Sequence, residues 1–101
     1  KGVSGAYYLG CNIENAAYSP SNCAERTAVF KAVSEGEREF EALAIVSTGE
    51  QPATPCGVCR QVLVEFCDPE MPIICSNRGG KYNIKTLGEL LPFAFTKKDL
   101  T

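Results

Sequence analysis

Ala42-Leu43-Ala44-Ile45-Val46, a loop over residues 48–54 with Gly49 and Pro52, and then Pro55-Cys56-Gly57-Val58-Cys59 form the stretch that decides the architecture. The first part is a continuous apolar run, the pattern of a strand covered on both faces. The last part opens a helix that runs to about Cys67. Val58, Val62, Leu63 and Phe66 make its apolar stripe, and Pro69 lies just past its end.

Outward from that unit, a helix starts near Asn22, with Ala28, Val29, Ala32 and Val33 on one face and Gly36 where a helix stops. Residues 6–9, an apolar and aromatic run between Gly5 and Gly10, read as a strand, and residues 12–22 as a loop. Downstream, the runs 72–76 and 82–84 flank Asn77-Arg78-Gly79-Gly80, a turn signal that predicts a hairpin. Thr86 with Glu89 three residues on predicts a capping box opening a last helix. The order strand, helix, strand, helix, strand, strand, helix predicts an α/β layer structure. The whole of residues 1–101 is expected to be one domain.

Charge and composition narrow the partners. The net charge is −2 and the ten basic residues are scattered, which argues against a nucleic-acid partner, because phosphate-backbone affinity needs clustered Lys and Arg. No apolar run approaches the ~18 residues of a membrane span, and no basic-then-apolar leader opens the chain. The six cysteines sit in apolar or helix-forming segments, so the expectation is a reduced, cytoplasmic protein acting on a small molecule. Cys11, Cys67 and Cys75 are expected to be small buried hydrophobes.

The chain has no histidine, so a metal site must be built on thiolates. Cys56 and Cys59 are spaced to grip one tetrahedral ion, and Cys23 opens the other helix, where backbone N–H groups favour negative sulfur. Three thiolates from two helix starts can converge on one Zn²⁺ and leave a fourth position open, as catalytic zinc sites do. Glu25, two residues past Cys23, is then placed to shuttle protons to and from a water there.

Other readings of these residues stay open. Asn22 to Glu25 has the spacing of a capping box, the ordinary explanation of an isolated match. Cys56 and Cys59 also fit a redox dithiol. A closed structural zinc with Cys67 or Cys75 as fourth ligand is a third option. Arg26 and Arg60 follow the two motifs directly, and a guanidinium bonded to sulfur would offset the excess charge of three thiolates on one Zn²⁺.

Cys23-Ala24-Glu25-Arg26 together with Pro55-Cys56-Gly57-Val58-Cys59-Arg60-Gln61 resembles the zinc-dependent nucleoside and nucleobase deaminases, whose signature and mechanism are general properties of that class. Asn12-Ile13-Glu14-Asn15 resembles the ribose-binding segment of the small homotetrameric cytidine deaminases, in the subclass with three Cys on zinc. The similarity runs from about Gly10 to Leu100. It implies a three-layer α/β/α sandwich around a mixed sheet, one Zn²⁺ per chain, and hydrolytic deamination of cytidine and deoxycytidine in pyrimidine salvage. An aminonucleoside such as blasticidin is the alternative substrate. The resemblance makes Cys23, Cys56 and Cys59 the zinc ligands, Glu25 the proton shuttle, and Arg26 and Gln61 their supporting residues. It places Asn12 and Glu14 on the ribose 3'-hydroxyl, the Ala24 N–H and Thr54 carbonyl on the pyrimidine, and Phe95 of a neighbouring subunit on the base. Members of the family begin with a helix, a segment bearing another base-stacking Phe, and a central strand. This chain starts after all three, so a truncated N-terminus is expected.

Overall fold

The computed structural model describes residues 1–100. Two helices stand against a small mixed sheet: α1 (Ala24–Ser34), β1 (Leu43–Ser47), α2 (Gly57–Phe66), β2 (Pro72–Asn77), β3 (Tyr82–Thr86) and the single turn α3 (Leu87–Leu90), with a 3-10 turn at Lys97–Leu100. The strand order is β1-β2-β3. β1 and β2 are parallel, with Leu43 opposite Ile73 and Ile45 opposite Cys75, and α2 supplies the crossover that a parallel pair needs. β2 and β3 form the expected antiparallel hairpin, with Ile74 opposite Ile84.

The core forms where the helix stripes meet one face of this sheet. Val29 of α1 and Leu63 of α2 pack with Met71, Ile73, Cys75 and Leu87, each nearly free of solvent contact. Apolar side chains at those spacings are what amphipathic helices bury. The ends of α1 follow its sequence: Gly36, at φ +96°, takes the left-handed conformation that few residues adopt, and its N–H closes on the Val33 carbonyl at 3.0 Å.

Two expectations change. Residues 6–9 are not a strand: they pair with nothing in the sheet, and Tyr7 and Leu9 stand largely in solvent. An apolar run becomes a strand only where a neighbour accepts its backbone bonds, and no described segment lies there to do so. The apolar run 42–46 yields β1, but its burial alternates, so it is covered on one face only. On the other face Ala44, Val46, Tyr82 and Ile84 are exposed.

Candidate metal centre

Cys56 occupies the N-cap of α2, just beyond the loop that follows the C-terminal end of β1, and Cys23 occupies the N-cap of α1. In an α/β sheet that end of the strands is where ligands collect. No strand leads into α1, so other contacts place Cys23. Gly10 passes so close to α1 that a Cβ there would sit 2.4 Å from the Ala24 carbonyl oxygen, which only glycine allows. Ile13 and Asn22 then exchange two backbone hydrogen bonds, both 2.8 Å, folding the segment back to the start of α1.

The three sulfurs meet. Cys23 Sγ lies 3.7 Å from Cys56 Sγ, Cys56 Sγ lies 3.4 Å from Cys59 Sγ, and all three fall within 4.8 Å of one another. Zn–S bonds of ~2.3 Å in a tetrahedron put sulfurs about 3.8 Å apart, so the trio fits one Zn²⁺ and supplies three of four positions. The backbone N–H of Cys59, aided by that of Val58, holds the Cys56 thiol below its usual range. Burial pushes the Cys59 thiol up to about 12. A divalent cation among them reverses that cost, since a coordinated thiol loses its proton.

Arg26 Nη2 donates to Cys23 Sγ at 3.5 Å, and its hydrogen bonds to Cys23 and then Cys59 raise the guanidinium above its ordinary value. Arg26 Nε is buried without a partner among the described residues. Glu25 sits in the first turn of α1, close enough that its charge adds to the burial that raises the thiols of Cys59 and Cys75. The capping-box reading of Glu25 is not realised: the N-cap is Cys23, and the Asn22 amide turns to Thr27 Oγ1 at 3.1 Å.

The remaining expected residues are dispersed around this centre. Asn12 Oδ1 accepts from the Ala24 N–H at 2.8 Å, so these two residues face one another and Asn12 caps α1 from a distance. Glu14 and Thr54 are exposed. Gln61 turns away from the sulfurs and donates Nε2 to the Phe95 carbonyl at 2.8 Å, leaving the Phe95 ring 60% exposed. Arg60 likewise turns its hydrogen bonds to carbonyls and not to the three sulfurs: Nε donates to the Pro55 carbonyl at 2.7 Å and Nη1 to the Leu90 carbonyl at 2.6 Å. No sequence signal marks either bond, because each acceptor is a backbone carbonyl and one of them is 30 residues away. Of the other cysteines, Cys75 is buried and Cys67 partly so, but Cys11 is exposed.

Residues 3–75 match the family described as the cytidine and deoxycytidylate deaminase zinc-binding region. The chain belongs to this family. A cytidine deaminase of Sporosarcina psychrophila is 57% identical over 97 residues, which are 96% of this chain and 71% of that protein. One of Halalkalibacterium halodurans is 48% identical over 95% of this chain and 73% of its own length. The crystal structure of cytidine deaminase from Burkholderia pseudomallei superposes with a TM-score of 0.87 at 43% identity, covering 93% of this chain and 76% of that one. The zinc-binding region of the family includes Cys23, Cys56 and Cys59, the only cluster of potential metal ligands among the described residues.

Proposed function

We propose that this chain catalyses the zinc-dependent hydrolysis of cytidine and deoxycytidine to uridine and deoxyuridine, releasing ammonia. The carrying observation is the convergence of Cys23, Cys56 and Cys59 from two helix starts with Glu25 in the first turn beside them. The relatives' names and the family match support the same reading.

Cys23, Cys56 and Cys59 would hold a Zn²⁺, which would supply Lewis acidity and lower a water's pKa toward about 7. Glu25 takes a proton from the attacking water and delivers it to ring N3 as C4 becomes tetrahedral. It then takes the proton of the new C4 hydroxyl and gives it to the amino group as the C4–N bond breaks and ammonia leaves, serving as base and then as acid. Arg26 places positive charge against the sulfurs, offsetting the excess of three thiolates. Asn12 and Glu14 hold the ribose 3'-hydroxyl, and the Ala24 N–H and Thr54 carbonyl orient the ring. The Ala24 N–H turns from Asn12 to the substrate on binding, which frees the Asn12 amide for the sugar. Phe95 stacks on the base from a neighbouring copy in a homotetramer, the role its exposed ring suits. The chain works as one domain in the cytoplasm, where its six free cysteines stay reduced. No described helix is long and apolar enough to cross a membrane.

Ultraviolet monitoring of cytidine loss, with zinc quantified on the same sample, tests this. Glu25→Gln keeps about one zinc per chain, as a three-ligand site requires, and loses turnover by at least about 10²-fold. Full activity in that variant sinks the mechanism. Cys23→Ala abolishes metal binding and activity together, whereas a Cys56–Cys59 dithiol oxidoreductase would work without Cys23.

A further inference from the structure

The end of α3 and the segment after it are held by consecutive residues of α2. Arg60 grips the first at the Leu90 carbonyl and Gln61 the second at the Phe95 carbonyl. Between these anchors Phe93 takes φ 54°, the left-handed region, and its ring is fully exposed. That conformation is unfavourable for an L-residue and persists only where the surroundings fix it. Phe93 gains no burial among the described residues in return, and Phe95 stays mostly exposed. Arg60 also reaches the other way, to the carbonyl of Pro55, which is fully buried and directly precedes Cys56. One planar guanidinium thus ties the turn that places Cys56 and Cys59 to the root of the segment that carries both aromatics.

We infer that Arg60 is a positioning residue for substrate binding, fixing residues 91–95 on the body of its own chain so that Phe95 is delivered to the pyrimidine in the neighbouring copy's site. The inference rests on the deaminase reading above and on Phe95 lying against the base. The hydrogen bonds of Arg60 go to backbone carbonyls and not to the cysteine trio, so its effect passes through the segment it holds. Lysine cannot replace it fully, because an ammonium lacks the two-sided planar fork that serves both carbonyls.

A double-mutant cycle on the zinc-loaded full chain tests this, using Arg60→Gln, Phe95→Ala and the pair, with cytidine as substrate. Arg60→Gln raises KM about tenfold, the loss expected of a charged hydrogen bond, while kcat changes less than about threefold and zinc content is kept. In the Phe95→Ala background it adds no further rise, since both act through one contact. Additive KM effects, or loss of zinc in Arg60→Gln, overturn the inference. Hydrogen exchange gives a readout independent of turnover: amides 91–96 exchange faster in Arg60→Gln while those of α2 do not change. Unchanged exchange overturns the tether. Faster exchange in a protein that does not deaminate cytidine leaves the tether standing and removes the deaminase reading instead. If Arg60→Gln fails to fold, Arg60→Lys, which keeps the charge, carries the same comparison with a smaller shift.

Discussion

Cys67 ends α2, and burial, with the Asp68 carboxylate adding to it, pushes its thiol up to about 12. The unfolded chain would titrate this group at about 8.5. Between those values the folded state keeps a proton that the unfolded state has lost, so the contribution to stability is complete below about pH 8.5 and is lost as pH rises toward 12. The urea midpoint of the wild type should therefore fall further between about pH 8 and about pH 10.5 than that of Cys67→Ala, and equal falls would remove the linkage. At this scale the sequence is uneven as a guide. The sulfur trio was legible because thiol spacing and helix starts are local properties. Arg60 and Gln61 were not, because their acceptors belong to backbone folded back from residues 90 and 95.

Among the elements, α3 shows local signals succeeding. Thr86 and Glu89 exchange both capping-box bonds, Thr86 N–H to Glu89 Oε1 at 2.8 Å and Glu89 N–H to Thr86 Oγ1 at 3.2 Å. The Thr86 N–H also holds the Glu89 carboxyl below its ordinary range. Thr86→Ala should cost about 1 kcal/mol, read from the shift in urea midpoint at constant slope. The same motif logic failed at Asn22 and Glu25 because α1 begins one residue later than that box requires, which puts Cys23 at the cap. It failed at residues 6–9 for a different reason: strand character is a property of a pair, and a run of apolar residues does not reveal whether a partner exists.

Across the whole molecule, Leu63 is the hinge of the packing, fully buried on α2 against α1 and the sheet. Leu63→Ala should cost about 2–5 kcal/mol, a large share of the ~5–15 kcal/mol that holds a protein of this size, and a smaller drop in thermal or urea stability would mean the site collapses to fill the cavity. The α/β order and the hairpin were legible because periodicity reports burial. Which face of β1 would be covered was not, since an unbroken apolar run fits either side. The uncovered face has a practical outcome. β1 and β3 are the two edge strands, and Val46 on β1 and Tyr82 and Ile84 on β3 turn apolar side chains to water on the uncovered face. Such a margin is a template for strand-on-strand aggregation. Light scattering per unit protein should then rise with protein concentration while the far-ultraviolet dichroism of the fold stays constant.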